Sequence, residues 1–417
     1  MATLGVLYGL GAASPSEIVA ALPPGWSIHW LVEKDDDASV PLRRVLEQSG
    51  PVDSWRDFIR TGASVNLSAV TTFSDPLVFP AALVRQELGL GGTSVEAARF
   101  LTDKFRQRQR LAAAGLEETP CQPVAAPAEM SGALDRVGLP AVIKPRSSVG
   151  SAYTFRMRSK NELDQALANI PPEVWAGGGM VIEAELPGRG LSNLGLADYV
   201  SVEMLSTERH HRPVAVTARL ALAAPFRERG GVMPAGLGQQ DLNRVTERAV
   251  AALDAIGVSD GVSHVEIKLQ ADDARVIEVN GRLGGQVAWL WKRIGGGDFV
   301  ALELAAACRT ELAWPEPLSD VIAFRYLMPA PLTVGRVRAV SGVAQVRDLP
   351  GVELAQLRAR PGTVLDWRQG TGSYVVLVSG AASTYEEMHR CIERIESLVK
   401  VDLDEIPQTV SACESRA

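Results

Sequence analysis

The stretch SHVEIKLQADDARVIEVNGRLGG, residues 263–285, gathers side chains that could hold a metal ion and a transferring anionic group. Two strand-like runs flank the turn-like ADDA, and a turn centred on Asp272 sets Glu266 opposite Glu278 and His264 opposite Asn280. Alternation places these four on one face and Val265, Ile267, Leu269, Ile277 and Val279 on the other. Two facing carboxylates repel unless a proton or a cation lies between them. Oxygen donors from Glu and Asn suit Mg2+, which keeps several waters and bridges to substrate phosphates. A solvated strand face whose charges Lys268 relieves is the plain alternative. The NGRLGG that follows favours the metal, because Arg282 fixed beside such an ion would stabilise developing negative charge.

A second cluster, VIKPRSSVGSAYTF at 142–155, ends a strand in Lys144 and then turns through Ser147, Ser148, Gly150 and Ser151. Free backbone N–H groups, hydroxyls and a lysine make a phosphate clamp, although the order of a P-loop is absent. A mobile surface hairpin would look much the same. Lys104, in TDKFRQRQRLAAAG, sits among arginines in a helical run where such a lysine is usually solvated. VIEAELPG at 181–188 reads as a strand leaving into a connector whose backbone could pair with a purine edge. In APFRERGGVMPAG, Arg227 and Arg229 either hold a substrate carboxylate through paired hydrogen bonds or stand in solvent.

These groups need elements to position them. TLGVLYGLGAASPSEIVAAL reads as strand, glycine turn and helix, and GWSIHWLVEKDDD adds a second strand, so the opening is a parallel α/β unit. Its GLGAAS turn lacks the full dinucleotide spacing, with EKDDD a weak ribose-binding candidate, and an ordinary strand-to-helix turn is the better reading. Residues 76–115 carry helical patterns ended by glycines. From about 140 the texture shifts to short strands broken by Gly and Pro, followed by the helical DLNRVTERAVAALDAIG and the hairpin. The proline-rich AWPEPLSD at 313–320 reads as a boundary, and strands with one amphipathic helix follow it. The final EIPQTVSACESRA reads as poorly ordered.

The chain has 417 residues, which suggests two or three domains, and 46% of them are hydrophobic, enough for a sizeable core. A net charge of −7 argues against a general nucleic-acid or anionic-membrane surface. Cys121, Cys308, Cys391 and Cys413 lie far apart without metal or redox spacing, as in a reducing cytoplasm. The N-terminus does not read as a signal peptide, and no apolar run approaches a membrane span. A cytoplasmic protein is expected.

Taken in chain order, DK…R…L, VIKP, VIE…LPG, GVSHVEIK and IEVNGRLGG resemble the ATP-grasp superfamily. The likeness covers roughly residues 1–310, motif by motif over 100–290 and in layout alone before that. Within the superfamily the chain is most similar to carboxylate–amine ligases, including L-amino acid ligases that make dipeptides. Residues 320–405, with GVAQVRDLPGV, resemble the C-terminal domain of those ligases. The fold implied is a multidomain α/β and α+β protein. It would comprise a pre-ATP-grasp parallel α/β domain at 1–95, an ATP-grasp domain of two α+β subdomains at 96–312, and a small α+β domain at 320–405.

The resemblance implies that Lys104 and Lys144 contact the phosphates of ATP and that the loop Ser147, Ser148, Gly150 and Ser151 closes over them. Glu183 would be a polar adenine contact, the backbone from Ala184 through Glu185 to Leu186 would read the adenine edge, and Glu203 would touch the ribose or the lid. Glu266, Glu278 and Asn280 match the positions that bind Mg2+, which Mn2+ can replace, and Arg282 matches the catalytic arginine. His264, with Arg227 and Arg229, falls among candidate substrate contacts, and the segment 187–200 lengthens the connector before Glu203. The activity implied joins a small carboxylic acid, such as an amino acid, to an amine through an acyl phosphate. A biotin-carboxylase-like enzyme is a rival that the C-terminal region disfavours, and a spent regulatory nucleotide binder is disfavoured by retention of the charged positions. Small molecules are the expected partners, nucleic acid and membrane are not, and a homodimer is a family-level expectation.

Overall fold

The computed structural model describes residues 2–33, 40–61, 66–311 and 320–406. Residues 34–37 of the EKDDD run, most of the proline-rich boundary (313–319) and the tail 407–417, with Cys413, lie outside the described residues.

The opening unit is a parallel sheet ordered Val52–Ser54, Trp26–Val32, Ala2–Leu7 and Ala69–Thr72. The GLGAAS turn leads into the short helix Pro15–Ala20, which a Ser14–Glu17 capping box starts. Two further helices span Val95–Thr102 and Lys104–Ala113, where the periodicity suggested one. Asp103 divides them: its backbone is extended, and its carboxylate accepts from the N–H groups of Phe105 and Arg106 at the start of the second helix.

A small antiparallel sheet follows, ordered Cys121–Val124, Met180–Ala184, Ala141–Pro145 and Phe155–Met157. It closes a core of its own around Met130, Leu134, Ile143, Met157, Met180 and Ile182. The platform facing it is an eight-stranded antiparallel sheet. Its strands run from the edge Ala274–Asn280 through Gly261–Leu269, Leu196–Thr207, His210–Leu220 and Gly230–Met233 to Ile322–Pro329, Tyr374–Ala382 and Val352–Leu357. The last three come from the C-terminal α+β region at 320–405. They hydrogen-bond into the same sheet and share its core, so this region continues the platform.

The hairpin pairs as its alternation requires, Glu266 with Glu278 and His264 with Asn280. One element differs. A bulge just beyond Glu266 pairs Ile267 with Val276, so Val276 enters the core while Ile277 turns into the cleft. Ile277 therefore leaves the apolar face on which strict alternation put it.

Candidate active site

A cleft of ≈ 410 Å³ is lined by Val142 and Lys144 of the small sheet and by Glu266, Ile277, Glu278 and Asn280 of the platform. The loop after the first strand and residues Thr371, Gly372 and Tyr374 also line it.

The hairpin's outer strand is a sheet edge, which would leave backbone groups unpaired. The helix Lys104–Ala113 covers it with side chains one helical turn apart. Gln107 Nε2 donates to the Val279 carbonyl (2.7 Å) and its Oε1 accepts from Val279 N (2.8 Å). Arg108 donates to the carbonyls of Val276 (2.7 Å) and Ile277 (2.9 Å). Glu117 accepts from Val276 N at 2.7 Å. Lys104, one turn before Arg108, projects into the cleft and donates to Glu278 Oε1 (2.7 Å) and the Ser148 carbonyl (2.9 Å). The lysine that composition would leave in solvent is 12% exposed and bridges the hairpin to the serine loop.

At the cleft floor every charge answers another. His264 Nδ1–H donates to Glu203 Oε1 (2.7 Å), and its Nε2 stands 3.5 Å from Glu266 Oε1. Burial alone would make the imidazole harder to protonate. The charge and hydrogen bond of Glu203, with the hydrogen bond to Glu266, outweigh it and raise His264 to about 9. Burial likewise pushes Glu266 up, but the hydrogen bond and charge of His264, with Arg219 and Arg282, bring it to about 2. Arg219 lies 2.9 Å from His264 Nε2, and the charges of Glu228, Glu266 and Glu203 act on its guanidinium. Arg282 is held by Asp75 and donates to the Leu283 carbonyl. Asp75 opens a short turn in the N-terminal unit, so that unit aims the arginine.

The small sheet contributes a second buried network. Lys144 Nζ sits 2.6 Å from Glu183 Oε1, and Arg108 Nη2 is 3.1 Å from Glu183 Oε2. Burial would raise Glu183; the charges of Arg108 and Lys144 and their hydrogen bonds reverse this and set it at about 2. The serine loop is tied at both ends. Ser147 Oγ donates to the Thr102 carbonyl (2.7 Å), and the Gly150 carbonyl accepts from Thr371 N (2.9 Å). Gly150 has φ +62°, and a Cβ there would lie 1.9 Å from Thr371 Oγ1, so only glycine fits.

Of the candidates from sequence, Lys104, Lys144, Ser148, Gly150, Ser151, Glu183, Ala184, Glu185, Leu186, His264, Glu266, Glu278, Asn280 and Arg282 all line this one cleft. Several expectations change. Glu203 is fully buried beneath the floor and orients His264, so it does not reach a ribose. Ser147 anchors the loop and is not among the lining residues. Glu183 lines the cleft, with Lys144 at its Oε1 and Arg108 at its Oε2. Arg227 donates to the carbonyls of Ala224 and Ala330 and shapes a loop. Arg229 pairs with Glu396 and stacks on Tyr326, outside the cleft. Lys268 does not relieve the facing carboxylates, because it pairs with Asp198. Missed from sequence were Asp75, Arg219, Glu228 and Arg325, none of which carries a local motif. Arg108 was legible, since Lys104, Gln107, Arg108 and Leu111 follow the spacing of one helical face.

This cleft, with lysines from two elements and an acid pair on a hairpin gripped between two α+β layers, marks an ATP-grasp fold. Residues 137–289 match the ATP-grasp domain family, and residues 326–404 match the L-amino acid ligase C-terminal domain 2. The match places an ATP-grasp domain at residues 137–289 of this chain.

Among curated relatives, alanine–anticapsin ligase of Bacillus subtilis is 26% identical over 299 residues, covering 68% of this chain and 60% of that protein. Carnosine synthase 1 of Homo sapiens is 26% identical over 270 residues, 60% of this chain and 32% of the relative. The chain thus spans 60% or less of the length of these two relatives. Among solved structures, an L-amino acid ligase from Bacillus licheniformis superposes with a TM-score of 0.74 at 19% identity, over 97% of this chain and 99% of that one.

Proposed function

We propose that the protein is an ATP-dependent ligase that joins a small carboxylic acid to an amine through an acyl phosphate, releasing ADP and phosphate. The observation that carries this is the meeting of Lys104, Lys144, the serine loop, Glu266, Glu278, Asn280 and Arg282 in one cleft. The matched domain families, named for ATP-grasp and L-amino acid ligase, support the same reading.

A carboxylate and an amine cannot condense efficiently, because the acid exists as an anion with no good leaving group. In the proposed first step a carboxylate oxygen attacks the γ-phosphorus of ATP, and the bond to ADP breaks. Lys144, positioned by Glu183, and Lys104 would hold phosphate oxygens, while backbone N–H groups at 148–151 close over them. Arg282, aimed by Asp75, faces the charge that develops on the transferring group. In the second step the amine nitrogen attacks the acyl carbon, phosphate departs, and the nitrogen loses a proton. Glu228, which lines the cleft, is a carboxylate available to that proton.

Mg2+ fits the hairpin. Glu266 and Glu278 face one another across the strands and, with the Asn280 amide, offer hard oxygen donors to the cleft. Such an ion would neutralise phosphate charge and orient the chain for in-line transfer. Lys104 donates to Glu278 and His264 stands beside Glu266, so both acids have a basic neighbour in the cleft.

Among the described residues no helix is long and apolar enough to cross a membrane. A cytoplasmic homodimer is the state we propose, and mass measurement in solution tests its second half. The activity is tested by incubating the protein with Mg-ATP, candidate acids and hydroxylamine. Acid-dependent hydroxamate is the expected product. ATP turnover that no acid stimulates would overturn the ligase reading.

A further inference from the structure

The serine loop does not hold its own shape. Gly150, Ser151 and Tyr153 take positive φ, at +62°, +58° and +51°. Residues with a Cβ avoid that region unless contacts from outside enforce it. The first half of the loop is tied close by, where Lys104 donates to the Ser148 carbonyl and Ser147 to the Thr102 carbonyl. The left-handed second half is tied to a distant stretch, the short helical turn Trp367–Gly372. Tyr153 N donates to the Arg368 carbonyl (2.6 Å), and Thr371 N donates to the Gly150 carbonyl (2.9 Å).

The two backbones fit closely. Gly370 takes φ +55° and ψ −127°, and a Cβ there would lie 2.0 Å from the Gly150 carbonyl oxygen. Trp367, at the start of the turn, sets its ring edge-on to Phe155 at 6.3 Å and packs against both the small-sheet core and the platform core. Its Nε1 is buried and, among the described residues, has no hydrogen-bond partner. The joint is closely shaped but thinly bonded. A contact that must part to admit a nucleotide and re-form behind it needs both properties. From the turn the chain runs directly into the strand Tyr374–Ala382, and Thr371, Gly372 and Tyr374 line the cleft.

We infer that the turn Trp367–Gly372 is a latch for the serine loop, holding it closed over the reacting phosphate and so keeping water from the acyl phosphate. This rests on the ligase reading above. The latch acts through the loop, so Trp367 and Gly370 are positioning residues and touch no reacting atom. Chemistry sets the need for it. Either the amine nitrogen or a water oxygen can attack the acyl carbon, and in both cases the bond to phosphate breaks and phosphate leaves. The amine gives the amide and loses a proton; water gives back the free acid, and ATP is consumed without product. A loop whose left-handed residues favour release excludes water only while something outside it keeps it shut.

The test compares wild type with Gly370→Ala, whose Cβ has no room against Gly150, and with Trp367→Leu, which removes the ring but keeps an apolar side chain. Amide hydrogen exchange over residues 147–154 reads the latch without any chemistry. Both variants should exchange there faster than wild type by on the order of tenfold, with the platform strands unchanged. Phosphate released per amide formed, measured with a productive acid and amine, reads the exclusion of water. Wild type should release about one, and Gly370→Ala about five or more, because water then competes for the acyl carbon. A merely structural role would slow both products together and leave that ratio alone. Unchanged exchange in the loop overturns the latch, and faster exchange with an unchanged ratio overturns its water-excluding role. A wild type that makes no hydroxamate from any acid refutes the ligase reading instead, and exchange still reports the latch contact separately. Should Gly370→Ala not fold, Trp367→Leu decides by the same two readings.

Discussion

Two fully buried carboxylates, Glu183 in the cleft and Glu303 at the junction of the first sheet with the platform, respond to burial in opposite ways. Glu183 touches two cations and sits at about 2. Glu303 stands on the nearly all-apolar helix Phe299–Cys308 and accepts from the Thr71 hydroxyl and the Val262 N–H, with Arg85 contributing charge at longer range. Burial is the largest influence there and brings it to about 7. Desolvation acts upward on both; the number of cations within reach decides the outcome. The cleft keeps Glu183 and Glu266 ionised by setting cations beside each, and the junction does not do so for Glu303.

The contrast reverses the sign of the pH response. Glu183 has a folded pKa below the ordinary carboxylate value of 4.5, so its share of stability is full above that value and is lost as pH falls towards 2. Glu303 has a folded pKa above 4.5, so its share is full below that value and is lost as pH rises through about 7.

The largest expected effect probes the matched floor. Glu266→Gln should cost at least a thousandfold in acid-dependent phosphate release, about 4 kcal/mol, because a metal donor and the anion facing His264 vanish together. Relief of repulsion between Glu266 and Glu278 would suggest a gain in stability, but each is already paired, so the melting temperature should fall. Turnover at the wild-type rate in saturating Mg-ATP refutes the metal assignment.

Glu183→Gln comes next and should destabilise the fold by about 3–4 kcal/mol, since it strands two buried cations. Denaturant titration at neutral pH measures this. A loss under about 1 kcal/mol would mean that the network is solvated, and the comparison would collapse.

Arg282→Ala should lower kcat by about a hundredfold while calorimetric ATP affinity changes little, because the charge it meets exists chiefly during transfer. Lysine should rescue poorly, since a point charge cannot reproduce the guanidinium fork that Asp75 aims. If affinity falls in step with turnover, Arg282 is a ground-state nucleotide contact.

The smallest effect falls at the junction. Glu303→Gln should flatten the decline in stability between about pH 5 and 8 and leave the variant more stable than wild type at pH 8 by on the order of 1–2 kcal/mol. Parallel pH profiles for the two proteins would show that Glu303 titrates normally.

Much of the site was legible because its information is local. Strand alternation and a turn at Asp272 are enough to oppose Glu266 and Glu278, and helical spacing alone aligns Lys104 with Arg108. Even so, one bulge moved Ile277 from core to cleft, because an inserted residue shifts every later side chain to the other face.

By itself, then, the sequence determined the order of the motifs, the hairpin register and the types of chemistry on offer, since periodicity of two or 3.6 residues needs no distant partner. Tertiary structure alone decided which charges meet. Asp75 reaches Arg282 across 207 residues of chain, and Glu303 meets Thr71 across 232. Arg227 and Arg229 carry the same charge as Arg325, yet strand pairing and loop closure turn the first two onto carbonyls and Glu396 and leave the third facing the cleft. The physical reason is that the sign of a charge is written at its own position, while its desolvation and its partner are set by whichever strands the folded sheet brings beside it.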